Sequence, residues 1–147
     1  MKSVWNDADY RELRARLDRL TPDASPRWGK FTAPQMVCHL VDAFKMASGE
    51  LPVKTRKMPI RYPPLKQLII YWLPFPKGAP TAPELLSRKA TEWHGEVQAL
   101  RRELEAFTKR GPKGPFVPHP AFGTLSPRAW GVLAYRHADH HLKQFGV

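Results

Sequence analysis

Eight of the sixteen prolines in this 147-residue chain fall between residues 52 and 83. Proline lacks the backbone donor that a helix needs and clashes with the preceding turn, so this segment cannot be one continuous helix. It separates regions whose apolar residues recur with helical spacing. Before it, residues 6–20 place Tyr10, Leu13, Leu17 and Leu20 three and four apart among charged residues. Asn6 or Asp7 caps this stretch, and Thr21-Pro22 ends it. A second stretch opens at Thr32-Ala33-Pro34-Gln35. Thr32 as N-cap and Gln35 three residues later form a capping box, and proline is favoured in the first turn. The stretch continues through Met36, Leu40, Ala43, Phe44 and Ala47, and Gly49 marks its end.

After the proline-rich segment, residues 91–110 carry Trp93, Val97, Leu100, Leu104 and Phe107, with Gly111-Pro112 as the stop. The last helical stretch opens at Ser126-Pro127, an N-cap followed by proline at the first helical position, and runs to Phe145. Within the proline-rich segment, LKQLIIYWL (65–73) forms one or two helical turns at most, and residues 111–125 are a turn-rich connector. Strand signals are weak. The expectation is a single all-α domain over residues 1–147, a four-helix bundle with a long Pro-rich basic connection between its second and third helices. At this length a chain buries a core without a disulfide or metal staple.

The longest apolar run, Leu68 to Leu73, has six residues, far short of the ~20 that a membrane-spanning helix requires. The charged N-terminal stretch does not read as a signal peptide, and the lone Cys38 allows neither an intramolecular disulfide nor a Cys-rich zinc site. These features fit a soluble protein of the reducing cytoplasm. Charge is the other outlier. Lys and Arg number 24 against 13 Asp and Glu, and residues 51–90 hold eight of the basic side chains with Glu84 as their single acid. Such a field attracts anions, whether nucleic acid, phospholipid or a small acidic substrate.

Histidine carries the most chemistry. On a helical wheel, His137 and His141 fall in the middle of the apolar face made by Trp130, Leu133, Ala134, Ala138 and Phe145, with His140 on the flank. Two imidazoles four residues apart leave the same helix face and can share one metal ion. On the second stretch His39 sits at the shoulder of the apolar face, where it would supply a third ligand. Three protein ligands leave a coordination position open, the arrangement of catalytic zinc sites. The alternative is that these histidines are hydrogen-bonded core residues. Asp42, one turn after His39, is either an acceptor orienting an imidazole or a solvated surface carboxylate. His119 either ties the HPAFG turn together or faces the pocket, and His140 either contacts the ligands or faces another subunit. Cys38 lies toward the polar side and reads as an ordinary cysteine. His94 faces solvent, and Trp130 and Tyr135 are packing residues.

RWGKFTAPQMVCHLVDAFKMA (27–47) and HPAFGTLSPRAWGVLAYRHADHHLKQFGV (119–147) resemble the DinB-like (YfiT-like) superfamily of four-helix-bundle metalloenzymes, and more closely a bacterial subfamily with an HPxFG…HxxHHLxQFG ending. The resemblance covers about a third of the chain. It implies an up-down-down-up bundle and a divalent metal, zinc or nickel, on His39, His137 and His141. HHLKQ (140–144) replaces the HHRGQ often found there, so any role tied to that Arg is absent. Some members are thiol S-transferases that use a low-molecular-weight thiol, and relatives are often homodimers. The implied function is therefore a metal-dependent small-molecule transferase or hydrolase, with an anionic substrate suiting the charge. The competing class is a non-catalytic basic protein that binds nucleic acid or a membrane surface. Lys54, Arg56, Lys57 and Arg61 interleaved with Tyr62, Tyr71 and Trp72 would grip phosphates and stack bases, although no nucleic-acid-binding motif accompanies them.

Overall fold

The computed structural model describes residues 1–78, 81–86 and 88–147, and is all-helical among them. The helices are α1 (Asp7–Leu17), α2 (Ala33–Ser48), α3 (Leu65–Tyr71), α4 (Trp93–Arg110) and α5 (Pro127–Gln144). Single 3-10 turns occur at Pro59–Arg61 and Pro83–Leu85. None of the helices is long and apolar enough to cross a membrane.

The caps form where the side chains call for them. Asn6 accepts from the Asp9 amide, and Ser126 accepts from the Ala129 amide. Thr32 and Gln35 make the reciprocal capping box, and Gly49 ends α2 at φ +85°, a left-handed conformation open to glycine. Two boundaries differ from expectation. Helix α1 stops at Leu17, and α4 begins at Trp93, where the Glu92 carboxylate accepts from the amides of His94 and Gly95. A charged acceptor at a helix N-terminus also meets the positive end of the dipole, so Glu92 outcompetes Thr91 as the cap.

Chain direction follows from the cross-helix contacts. The Tyr135 hydroxyl donates to Glu12 and Arg16 pairs with Asp139, so α1 and α5 run in the same sense. Phe44 meets Phe107 near the C-terminal ends of α2 and α4, which are likewise parallel. Parallel neighbours require the connecting chain to travel back along the full helix. That return is the task of the proline-rich strap between α2 and α4, which carries α3 and the two 3-10 turns. The strap is anchored midway by α3, whose last carbonyls are held by Arg136 of α5, which donates to Ile69 O (2.9 Å), Ile70 O (2.6 Å) and Leu73 O. Arg136 therefore caps a helix terminus.

The core has two ends. At one, Trp5, Phe44, Phe107, Phe116 and Trp130 form an aromatic cluster, with Trp5 stacked on Phe107 at 5.1 Å. Gly131 lets the N-terminal segment lie against α5. The Val4 amide donates to Gly131 O, and a methyl at Gly131 would collide with the Trp5 indole and the Ser3 hydroxyl. Overpacking of about 1–3 kcal/mol outweighs the ~1 kcal/mol gain in helix propensity. Gly131→Ala is expected to lose roughly 1 kcal/mol in urea denaturation, with a red shift of tryptophan emission as Trp5 is displaced. The other end of the core holds the histidines.

Candidate metal centre

Helix α2 brings His39 to this end and α5 brings His137 and His141. Because the two helices are antiparallel, the N-terminal half of one faces the C-terminal half of the other. His39 is 4% exposed, deeper than its shoulder position implied, and His141 is also buried. His137 keeps partial exposure. One ligand-competent atom from each of the three lies within 4.8 Å of the others. The Nε2 atoms of His39 and His137 are 3.1 Å apart. Two nitrogens on one zinc ion at 2.0–2.1 Å in tetrahedral geometry stand about 3.3 Å apart, so this pair already has the spacing of shared ligation.

The outer nitrogens are held by neighbours. His39 Nδ1 lies 3.4 Å from Leu85 O, a carbonyl that can only accept, so Nδ1 carries the proton. His141 Nδ1 lies 2.8 Å from Gln144 Oε1. The Gln144 amide nitrogen donates to Trp28 O, which fixes the amide with its oxygen toward the imidazole. Both tautomers therefore leave Nε2 with a free lone pair, the state that metal ligation needs. Burial is the main reason that His39 and His137 are pushed below the usual histidine range and that His141 is pushed down to about 3. Like charge among the cluster adds to the effect at His137 and His141. All three are neutral at pH 7, so a cation binding there displaces few protons.

Of the other residues singled out by sequence, His140 touches the cluster and His119 is near enough for its charge to act on His137, while the rest lie elsewhere. Asp42 neither orients an imidazole nor faces solvent. It is 4% exposed and accepts from Arg88 Nε at 3.0 Å. Arg88 also makes a two-pronged pair with Glu96, at 2.6 and 3.0 Å, and Glu96 accepts further from the Thr91 amide and hydroxyl. This knot of one part-exposed cation over two buried carboxylates had no sequence signal beyond ordinary charge. Cys38 is buried rather than on a polar face, and burial raises its thiol to about 11, which makes it a poor nucleophile. His119 Nδ1 accepts from the amides of Ala121 and Phe122, so its visible role is within its own turn. His140 packs edge-on to Trp28 and His141 and near Phe75. Trp130 and Tyr135 are buried, and His94 is exposed. Gln144 and the Leu85 carbonyl were not anticipated. Gln144 was legible in principle, because a glutamine three residues after a histidine shares its helix face.

A family model, described as a protein of unknown function (DUF1569), matches residues 8–146. The chain belongs to the DUF1569 family. No curated protein and no solved structure matches it. The DUF1569 match runs from the second residue of α1 through α5 and includes the three converging histidines.

Proposed function

We propose that this DUF1569 protein is a DinB-like four-helix bundle that binds one divalent cation, zinc or nickel, on His39, His137 and His141, and acts as a metal-dependent enzyme on a small molecule. The observation that carries the reading is the pair of outward hydrogen bonds, His39 to Leu85 O and His141 to Gln144, which leave the inner nitrogens free to converge. With His39 Nδ1 protonated, the 3.1 Å contact has His137 Nε2 donating to His39 Nε2, and His137 would hold the cation through Nε2 with its proton moved to Nδ1. The parallel α1–α5 and α2–α4 pairs also agree with an up-down-down-up bundle.

When bound, the cation supplies Lewis acidity, which lowers the pKa of a thiol or water held at the open position. The chain's own part is positional. Leu85 O and Gln144 hold the rings in orientation, and Phe31, 5.3 Å from His39 and 5.9 Å from His141, shields them on one side. A transferase that activates a low-molecular-weight thiol and a hydrolase that activates water share this framework. The alternative of a basic scaffold for nucleic acid or membrane draws less support. Arg61 and Lys66 donate to the carbonyls of Pro120 and Thr124, and Arg88 is engaged by two carboxylates.

The test is metal stoichiometry after purification without an affinity tag. Wild type should take up about one zinc or nickel per chain, and His137→Ala/His141→Ala should fall below detectable binding. Equal, weak uptake by both proteins would remove the reading.

A further inference from the structure

A cleft of about 510 Å³ opens beside the histidines and touches them through His39. Its walls are Phe31, Leu85 and Leu86, and its rim carries Lys30 and Lys89. Arg88 also lines it, but that guanidinium already faces Asp42 and Glu96. Among the described residues, no carboxylate lines the cleft. Among the described residues, Lys30 and Lys89 are in no hydrogen bond or ion pair, and both are exposed. The cleft therefore combines an apolar wall with two unneutralised cations, and its floor includes a residue of the histidine cluster.

We propose that this cleft binds a small molecule that carries a carboxylate or phosphate on an apolar body. Lys30 and Lys89 grip the anionic group, and the apolar part lies against Phe31 and Leu85. An apolar group displaces water from the wall, while an exposed ammonium pair adds selectivity for an anion over its neutral analogue. Arg88 has a different part. Its charge is matched from behind, so it holds the wall in place and leaves the selectivity to the two lysines. The proposal names the substrate class of the site described above, and only in that respect rests on the metal reading. The anion contact itself needs no metal.

The experiment is a titration of metal-free protein at low salt with phenyl phosphate against phenol, and with benzoate against benzyl alcohol, followed by backbone amide shifts. Wild type should bind at least one anion about tenfold more tightly than its neutral partner, with shifts centred on residues 30–35 and 85–90. The two pairs of probes separate a phosphate site from a carboxylate site. Lys30→Gln/Lys89→Gln should lose that margin. Lys109→Gln/Lys113→Gln removes the same charge from the far end of α4, roughly 25 Å from its start, and should keep the margin within twofold. All four lysines are exposed, so both variants should fold, which circular dichroism checks.

The proposal is overturned if the neutral compounds bind as tightly, if the two double variants lose equally, or if the shifts centre elsewhere. Failure of zinc or nickel to bind would leave a lysine-dependent anion margin standing. Metal binding without that margin would overturn this proposal alone.

Discussion

Arg88→Ala is expected to destabilise the protein by about 2–3 kcal/mol, less than the loss of a fully buried pair because the Arg88 side chain is 37% exposed and water screens it. Asp42 and Glu96 are 4% and 2% exposed, and Arg88 is the cation that faces both. Removing it leaves two buried carboxylates without a counter-charge, whose desolvation is no longer offset. In the wild type, burial pushes the Glu96 carboxyl up, but Arg88 and Thr91 together hold it below the ordinary range. A depressed carboxylate contributes stability above its unfolded pKa and loses it as pH falls through the folded value. In the variant the orphaned carboxyls rise instead, so acid relieves the damage. The gap between wild type and variant, measured by urea denaturation, should therefore shrink between pH 7 and pH 4. Arg88→Lys, with one point-like ammonium in place of a planar fork, should lose less than Ala. A constant gap across that pH range would show that the two acids are not the cause.

Acid should weaken the wild-type protein through its histidines. Burial pushes His119 down to about 4 and His141 down to about 3. In the unfolded chain each titrates near 6.5. Between these values the unfolded state binds more protons, so stability is full above pH 6.5 and falls as pH drops toward the folded pKa. From pH 7 to pH 5 each histidine contributes a loss of about 2 kcal/mol, roughly 4 kcal/mol for the two, at 1.36 kcal/mol per unit. His39 and His137, also lowered, act in the same direction. His119 is not one of the three converging imidazoles, although its charge also acts on His137. The His119 Nδ1 only accepts, from the Ala121 and Phe122 amides. Asparagine can offer an oxygen in that place without titrating, so His119→Asn should unfold with a pH 7 to pH 5 loss smaller by about 2 kcal/mol. An unchanged slope would mean that the imidazole is already charged in the folded protein.

Much of the helical framework could be read from local chemistry, because caps and stops act over three or four residues. Thr32, Gln35, Gly49 and Ser126 do in the structure what their types dictate. The inward His137 and His141 followed from periodicity alone, since α5 has a clear apolar face. Helix α2 was harder to place. Its sixteen residues include only Asp42 and Lys45 as charged groups, and twelve are buried. A helix so apolar all round is covered on every side. Treating it as a surface helix with one apolar face put Cys38 toward the polar side, gave Asp42 either an imidazole or water as its partner, and set His39 at a margin. What covers it includes the strap between α2 and α4, and strap contacts such as Arg88 with Asp42 join residues 46 apart in sequence. No local pattern encodes such a pairing. The Leu85 carbonyl was illegible for another reason, because a backbone acceptor has no residue type.

The glutamine behind His141 has a mechanical consequence. Its side-chain amide is fastened to Trp28 O, and its own carbonyl accepts from the Arg27 amide at 2.7 Å. Residues 27 and 28 are thus stitched to the last turn of α5 by two bonds through one residue, just before Lys30 and Phe31. The entrance segment and the imidazole cannot shift independently. Any molecule that pries the segment outward must rotate that ring, and any ion that locks the ring stiffens the threshold.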